Sequence, residues 1–396
     1  MANVSQLENA MPVAPLKLIV LPSMASMGDR INRYLVEFRK QIHNDMVKSD
    51  PAFHGYQEQD YRLKYQIPRF GSGESKARLI ESSRGKDIFI LVDVMNHSIT
   101  YEMNGYTNHM SPDDHFQDLK RVIGAIGGKA TRINVIMPFL YEGRQHRRNG
   151  RESLDAAYAL EELNNMGIDN FITFDAHDPR VANSIPIGGF DNFMTSYSFI
   201  KALLRNESDL LVDEDHMVVI SPDEGALDRA IYFANVCGIN TGMFYKRRDY
   251  TKIVNGKNPI VAHEFLGDRV DSKDVVIIDD MISSGGSMID TARQLKEMNA
   301  RRVFICTSFG LFTDGLDSFD EAYEKGYFDK VITTNLTYLP PELYDRPYFI
   351  EADMSKFIAS IVDFMNHDSS MANVLDNTEK MHAILESYNA RENVEI

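Results

Sequence analysis

The sequence predicts an α/β protein with two units, each a mostly parallel sheet flanked by helices. Short runs rich in Val, Ile, Leu and Phe alternate with segments whose apolar residues recur at helical spacing, the pattern of βαβ units. The chain has 396 residues, of which 43% are hydrophobic, enough for two cores. Because parallel sheets bind ligands beyond the carboxyl ends of their strands, the residues directly after each predicted strand are the candidates for function.

The first half of the chain alternates strands and helices. Its predicted strands are short, continuous apolar runs, as expected of strands buried on both faces. They cover residues 16–21, 87–94, 132–137 and 170–174. Apolar residues at helical spacing predict helices that include residues 31–42 and 152–166. At Ser111 a capping serine precedes Pro112 and two acids, which indicates a further helix start.

The second half repeats this order of elements. Its predicted strands cover residues 216–220, 241–245, 275–278 and 302–307. Helices are predicted over residues 224–236 and 286–298. Since strands joined by helices run parallel, each half is expected to form its own sheet with helices on both faces.

The boundary between the halves is expected near residues 188–192, where two glycines precede a new helical segment. The resulting division is an N-terminal extension 1–15, a first domain 16–190, a second domain 191–365 and a C-terminal tail 366–396. The tail carries 2 Lys/Arg and 6 Asp/Glu, which predicts a loose helix followed by a solvated acidic end. Residues 95–110 are a polar, Tyr- and Asn-rich connection without a clear period.

Composition argues against several classes of protein. With 42 Lys+Arg and 58 Asp+Glu the net charge is −16, which disfavours general nucleic-acid binding, although a local basic pocket can still hold an anionic substrate. Residues 1–15 lack the basic start and apolar core of a signal peptide, and no apolar run approaches membrane-spanning length. With only two cysteines a disulfide framework is not expected, which fits a cytoplasmic protein. From the charge and the apolar runs, we expect neither nucleic-acid nor membrane partners.

The strongest motif follows the predicted strand 275–278. Two carboxylates end the strand, and a loop rich in glycine and serine opens a helix. The motif consists of Asp279, Asp280, Ser283, Ser284, Gly285, Gly286 and Ser287. Glycines let backbone N–H groups approach a phosphate, the helix start adds the positive end of its dipole, and paired acids can accept hydrogen bonds from sugar hydroxyls. An ordinary strand-to-helix turn is the alternative, but the combination is more specific to a sugar phosphate.

An arginine cluster follows the predicted strand 132–137. Four arginines fall within one stretch of eight residues, although the whole chain has a net charge of −16: Arg144, Arg147, Arg148 and Arg151. Such a cluster at the carboxyl end of a strand favours a polyanionic ligand. The alternative is a solvated or salt-bridged surface loop.

Two single residues after strands are candidates for phosphate or metal binding. His177 follows the strand 170–174 and could bond a phosphate or ligate a metal, or be a structural histidine. Asp223 follows the strand 216–220 and could hold Mg²⁺, which prefers oxygen ligands. Its neighbours Ser, Pro and Glu are equally typical of a helix N-terminus, and locally that interpretation is favoured.

Two further segments have weaker signals. Lys246 and Arg248 lie in a predicted loop after the strand 241–245, where they could neutralise the charge of a transferring group or simply face solvent. Phe70 lies in a Gly-Ser-Gly turn and could stack on a planar base or belong to a core.

Taken in order, these segments resemble the ribose-phosphate pyrophosphokinase family, also called phosphoribosyl pyrophosphate synthetases, over roughly residues 17–364. The segments that carry the resemblance are Arg69 through Glu74, Arg84 through Ile90, Pro138 through Arg148, Asp175-Ala176-His177, Ser221 through Gly225, Lys246-Arg247-Arg248 and Asp279 through Ser287. The resemblance implies two phosphoribosyltransferase-type (type I) domains and transfer of the β,γ-diphosphoryl group of ATP to ribose 5-phosphate, with Mg²⁺ as cofactor. It also implies a homo-oligomer, a dimer or a hexamer built from dimers.

The resemblance also implies roles for individual residues. ATP would be bound by Phe70, Glu74, Arg144, Gln145 and His177. His177 and Asp223 would serve the metal, and Lys246 and Arg248 would stabilise the transferring group. Ribose 5-phosphate would be bound by Asp279, Asp280, Ser283, Ser284, Gly285, Gly286 and Ser287.

Three acids of the family pattern are replaced, by Ser72, His146 and Ser283. These replacements keep open a non-catalytic relative, and a phosphoribosyltransferase is a second alternative, disfavoured by the joint presence of the other segments. A phosphoribosyltransferase would need the 279–287 segment but neither the arginine cluster nor His177 nor Lys246. A non-catalytic regulatory relative would keep the fold without the reaction.

Overall fold

The chain divides into two units, each organised around its own parallel sheet. The computed structural model describes residues 7, 10–42, 47, 50–248, 260–372 and 378–390. The first unit consists of Met1–Met194, Asn335–Tyr338 and Asp353–Asp376, and the second of Thr195–Thr334, Leu339–Ala352 and Asn377–Ile396. The predicted fold class, two α/β units with parallel sheets flanked by helices, is confirmed.

The first unit contains a five-stranded sheet in the order β1-β4-β7-β8-β9, in which every neighbouring pair is parallel. The strands of this unit are β1 (Leu16–Val20), β2 (Tyr65–Gln66), β3 (Arg78–Leu79), β4 (Asp87–Leu91), β5 (Thr100–Met103), β6 (Tyr106–His109), β7 (Arg132–Ile136), β8 (Asn170–Phe174) and β9 (Gly189–Phe193). The interior strand β4, between β1 and β7, is buried along its whole length, which explains its continuous apolar sequence.

The second unit contains a seven-stranded sheet in the order β12-β11-β10-β13-β14-β15-β16. Its strands are β10 (Met217–Ser221), β11 (Asn240–Arg248), β12 (Ile260–Leu266), β13 (Asp274–Ile282), β14 (Arg302–Gly310), β15 (Lys330–Thr334) and β16 (Phe349–Ala352). Among the strands described in this sheet, β12 alone runs antiparallel to its neighbour, β11. The predicted loop that carries Lys246 and Arg248 is therefore wrong, because the strand continues through Arg248 where β12 pairs with it.

Nine α-helices lie within the described residues. They are α1 (Ala25–Gln41), α2 (Pro112–Ile126), α3 (Asp155–Asn165), α4 (Ser196–Asn206), α5 (Leu227–Cys237), α6 (Gly286–Glu297), α7 (Asp317–Glu324), α8 (Ser355–Asn366) and α9 (Thr378–Asn389). The helix start predicted at Ser111 is present: the Ser111 hydroxyl accepts from the Asp114 N–H (3.2 Å) and the Asp114 carboxylate accepts from the Ser111 N–H (3.0 Å). None of the helices in the described part of the chain has the length and apolar character that a membrane span requires.

The end of the chain differs from the sequence-based division. Helix α8, placed by the sequence in the second domain, belongs to the first unit and packs against α1. A fully buried ion pair between Arg39 and Asp363 (2.9 Å) joins these two helices. The loose helix expected in residues 366–396 is present as α9, but it is not loose: it packs against α4 and α5 of the second unit and buries Met381, Ile384 and Leu385.

Residues 95–110, expected to be an irregular connection, contain the antiparallel hairpin β5–β6. The two residues between the strands, Asn104 and Gly105, have φ of 51° and 80°. Left-handed values at both positions are those of a tight hairpin turn, for which Asn-Gly is the favoured sequence. The segment between β4 and α2 is therefore an ordered hairpin.

Candidate active site

The two predicted sugar-binding acids lie at the end of β13 in the second unit. Asp280 is buried, and its carboxylate lies 4.0 Å from the guanidinium of Arg229 on α5. The Asp279 carboxylate accepts the backbone N–H of Asp280 (2.8 Å). Burial, together with the nearby carboxylates of Asp280 and Asp223, raises the pKa of Asp279 well above its ordinary value. These crowded acids are suited to bonding hydroxyl groups or a cation.

The loop after these acids has a fixed backbone and an open face. Gly285 has φ of +86°, and a Cβ on it would lie under 3.0 Å from the buried ring of Phe319, so that only glycine fits there. Helix α6 begins at the next residue without a side-chain cap. A Cβ on Gly286 would meet no atom within 4 Å, and Ser284 and Ser287 are exposed. The first N–H groups of α6 therefore border open space, as an anion site requires.

Asp223 forms the local cap that the sequence allowed as the alternative to metal binding. Its carboxylate accepts the Gly225 N–H (3.0 Å) at the start of a short 3₁₀ helix, Glu224–Ala226. The same carboxylate is near enough to Asp279 to contribute to its raised pKa. The structure thus brings Asp223 close to the acid pair, while its metal role stays a prediction.

The predicted catalytic residues Lys246 and Arg248 lie in β11. The strand register pairs Lys246 with His263 and Arg248 with Ile260 of β12, with an irregularity between Arg247 and Arg248. Their catalytic assignment concerns side chains outside the described part of the structure and stays a prediction.

In the first unit, Phe70 lies in a tight turn between β2 and β3, hereafter the Phe70 turn (residues 69–76). The Phe70 N–H donates to the Glu74 carbonyl (2.7 Å) and the Gly73 N–H to the Phe70 carbonyl (2.8 Å). The Phe70 side chain is not core: the residue is 50% exposed, with the ammonium of Lys76 5.7 Å from its ring centroid. Glu74 is also exposed and accepts the hydroxyl of Ser72 (3.1 Å). An exposed ring beside a cation is suited to a planar, anionic ligand.

The arginine cluster forms an irregular loop between β7 and α3. Gln145 braces it internally, because its amide donates to the carbonyls of Ser153 (2.8 Å) and Arg147 (3.3 Å). Arg144 and Arg147 are exposed. The arginines are therefore presented to solvent, whereas the Gln145 amide nitrogen is used within the loop.

His177 is exposed at the end of β8, and its ring centroid lies 5.5 Å from that of His146. His146 Nε2 lies 3.3 Å from the Asp178 carboxylate, which also accepts from Arg180 (Nε, 2.9 Å). The hydrogen bond from Arg180 lowers the pKa of Asp178 to about 2, and burial lowers the pKa of His146. Sequence reasoning noted His146 only as a replaced acid; its contact with Asp178 brings two predicted segments together.

Two family models match the halves of the chain that carry these features. The N-terminal domain of ribose phosphate pyrophosphokinase matches residues 17–167, which include the Phe70 turn and the arginine cluster. The phosphoribosyl transferase domain matches residues 192–340, which include the 279–287 segment. Fold and site thus define a two-domain protein of the phosphoribosyltransferase type.

Comparison with whole relatives specifies the family. The chain is 30% identical to a ribose-phosphate pyrophosphokinase of Corynebacterium efficiens over 249 residues, 62% of this chain and 69% of the relative. It is 26% identical to that of Vibrio parahaemolyticus over 310 residues, 77% and 89% of the two chains. The chain belongs to the ribose-phosphate pyrophosphokinase family. A crystal structure of phosphoribosylpyrophosphate synthetase from Mycobacterium smegmatis shares its fold, with a TM-score of 0.69, 21% identity, and coverage of 89% of this chain and 99% of that one.

Proposed function

We propose that this chain is a ribose-phosphate diphosphokinase. It transfers the β,γ-diphosphoryl group of ATP to the 1-hydroxyl of ribose 5-phosphate and releases AMP and 5-phosphoribosyl 1-diphosphate. The observation that carries the proposal is the start of α6, which follows the acid pair and has no side-chain cap. Only glycine fits at position 285, and Gly286 borders open space. The 5-phosphate would be held by the first N–H groups of α6 and by Ser283, Ser284 and Ser287.

The acid pair would orient the sugar. Asp279 and Asp280 would bond ribose hydroxyls, which leaves the 1-hydroxyl available as nucleophile. That oxygen attacks the β-phosphorus of ATP, the bond from this phosphorus to the α,β-bridging oxygen breaks, AMP leaves with the bridging oxygen, and the hydroxyl proton passes to solvent. Catalysis of this kind consists mainly of positioning and charge neutralisation.

The nucleotide would be held by residues of the first unit. Phe70 offers an exposed ring for adenine, and Glu74, Arg144, Gln145 and His177 would contact the remainder of ATP. The exposure of the ring and of Arg144 supports this assignment. Lys246 and Arg248 would stabilise the charge on the transferring group.

We propose Mg²⁺ as the cofactor of this reaction. Within the described ranges, no cluster of three or more His, Cys, Asp or Glu forms a complete metal site. Mg²⁺ typically takes one or two protein ligands together with substrate phosphates and water, so an incomplete site suits it. His177 and Asp223 would hold the ion, which when bound neutralises charge on the ATP phosphates. We further propose that the protein is cytoplasmic and forms a homo-oligomer. Light scattering of the purified protein tests the oligomeric state.

The reaction can be tested with purified protein, MgCl₂, ATP labelled at the β-phosphorus, and ribose 5-phosphate. We expect equimolar AMP and labelled 5-phosphoribosyl 1-diphosphate, and no AMP without the sugar. Asp279→Asn should reduce the rate, whereas Asp290→Asn on the surface of α6, where Asp290 pairs with Arg293 (2.6 Å), should not. Release of ADP would contradict diphosphoryl transfer. A folded protein without product would favour the non-catalytic relative, and consumption of the diphosphate sugar with a base would favour the phosphoribosyltransferase.

A further inference from the structure

The hairpin β5–β6 contacts the Phe70 turn at three points. The Asn104 N–H donates to the Gly71 carbonyl (3.0 Å). The guanidinium of Arg69 lies over the Tyr101 ring, 4.2 Å from its centroid. Met103 covers Gly73 so closely that a Cβ there would lie 2.6 Å from the Met103 sulfur. The hairpin thus supports the turn through backbone, charge and packing together.

We infer that the hairpin positions the Phe70 turn for nucleotide binding, an assignment that rests on the nucleotide role proposed for that turn. Tyr101 acts here as a positioning residue, through Arg69, and does not itself contact the ligand. The chemistry concerned is that of a purine nucleotide stacked on the Phe70 ring.

Arg69 is the link between hairpin and turn. Its guanidinium donates to the Gly73 carbonyl (2.8 Å) inside the turn and to the Asp118 carboxylate (3.1 Å) on α2. The Arg69 side chain is only 12% exposed, so its contact with the Tyr101 ring is largely shielded from water. A shielded cation–π contact is stronger than an exposed one. Because the guanidinium is planar and rigid, it can stack on the Tyr101 ring and donate hydrogen bonds at its edge at the same time.

The turn has little support of its own. Strands β2 and β3 at its base have two residues each, and Phe70 at its tip is half-exposed. Two-residue strands with one exposed face provide little independent stability. The orientation of the Phe70 ring therefore depends on contacts from outside the turn, which the hairpin and α2 supply.

The hairpin is itself anchored independently of the turn. Its base closes with the Met110 N–H donating to the Ile99 carbonyl (2.8 Å), and His109 Nδ1 lies 2.7 Å from the His97 carbonyl oxygen. The buried His115 on α2 holds the preceding segment, with Nε2 2.8 Å from the Asn96 carbonyl oxygen. The hairpin can therefore act as a bracket for the turn.

The chain contains no tryptophan, so Phe70→Trp places a single fluorescent reporter in the turn. In this background, Tyr101→Ala should lower the tryptophan anisotropy without ligand and weaken ATP binding about 5–20-fold, with affinity for ribose 5-phosphate within twofold. With Phe70 restored, Tyr101→Ala should raise KM for ATP and leave kcat within threefold. Tyr101→Phe keeps the ring and should therefore give the tryptophan anisotropy, the ATP affinity and the KM for ATP of the protein with Tyr101. Tyr101→Leu keeps apolar volume without the ring and should not.

Tyr106→Ala is the matched control, since Tyr106 lies on the same hairpin and is 75% exposed. The inference is overturned if Tyr101→Ala and Tyr106→Ala give the same anisotropy and ATP affinity. It is also overturned if Tyr101→Ala lowers thermal stability and weakens both ligands equally. A reporter that does not respond to ATP would refute the proposed nucleotide role, and the anisotropy comparison would still decide whether the hairpin orders the turn.

Discussion

Gly285 and Gly286 are neighbours with opposite surroundings, and this contrast gives the sharpest test of the proposed sugar-phosphate site. A methyl group on Gly285 would overlap the ring of Phe319, which is buried against Phe312 (ring centroids 5.1 Å apart) and Phe328 (6.0 Å). The left-handed backbone costs a non-glycine residue about 1–2 kcal/mol, and overpacking a core costs about 1–3 kcal/mol. Gly285→Ala should therefore destabilise the second unit by about 2–5 kcal/mol, or about 4–20 °C in melting temperature.

Gly286→Val should behave differently. No atom lies within 4 Å of the position of a Cβ on Gly286, so we expect a change in stability within about 1 kcal/mol. The branched side chain would instead fill the space in front of the first N–H groups of α6. Each hydrogen bond to a charged phosphate contributes about 1.5–3 kcal/mol, so losing two would weaken ribose 5-phosphate binding more than about 100-fold.

Isothermal titration with ribose 5-phosphate and with ATP, each alone, together with thermal melting, measures all of these effects. We expect Gly286→Val to melt like the wild type, to bind ATP normally and to show no binding of the sugar phosphate. Wild-type affinity for ribose 5-phosphate in this variant would refute the assignment of the 279–287 segment. Equal loss of both ligands would show that the loop is structural or shared.

Four further substitutions test catalysis, metal use and stability. Lys246→Ala and Arg248→Ala should each reduce turnover about 10²–10³-fold in steady-state assays while ATP affinity changes only a few-fold, and near-normal turnover in both would contradict their role. Asp223→Ala should raise the Mg²⁺ concentration for half-maximal activity and lose about 1 kcal/mol of stability with the cap; stability loss with unchanged Mg²⁺ dependence would leave only the cap. Arg132→Ala should destabilise the first unit by about 3–5 kcal/mol in urea unfolding because it leaves Asp87 buried without its cation, and a loss below about 1 kcal/mol would refute this.

The sequence predicted correctly those helices and strands that are determined by residues close to them in the sequence. The predicted strand 170–174 coincides with β8, since a short apolar run between polar residues leaves little freedom in its ends. The predicted loop at Lys246 failed for the opposite reason. Its charged sequence looks solvated, but the partner strand β12 begins twelve residues further along the chain, and no local period indicates such a pairing.

Two features were predicted wrongly because polar or acidic composition was given more weight than a local sequence pattern: the hairpin β5–β6 and the packing of helix α9. The Asn104-Gly105 dipeptide is a strong hairpin signal, but the polar character of residues 95–110 concealed it. The acidic end of the chain contains Met381, Ile384 and Leu385 at helical spacing, and all three are buried against the second unit. In the candidate site, residue types and order indicated the loop, but the different environments of Gly285 and Gly286 depend on Phe319, which is distant in sequence.

The two units share a feature at the amino ends of their strands: a buried aspartate pairs with an arginine on the neighbouring strand. Asp87 pairs with Arg132 across β4 and β7 (2.7 Å), and Asp274 pairs with Arg302 across β13 and β14 (2.7 Å), with both acids fully buried. The paired residues are 45 positions apart in the sequence of the first unit and 28 positions apart in that of the second. The larger separation includes the hairpin β5–β6, which lies between β4 and α2. Both Asp–Arg pairs lie where the strands begin, whereas ligands of parallel sheets bind where the strands end. Substitutions in these pairs should therefore change stability, whereas substitutions at Tyr101 of the hairpin, or at an open position of the 279–287 segment such as Gly286, should change binding.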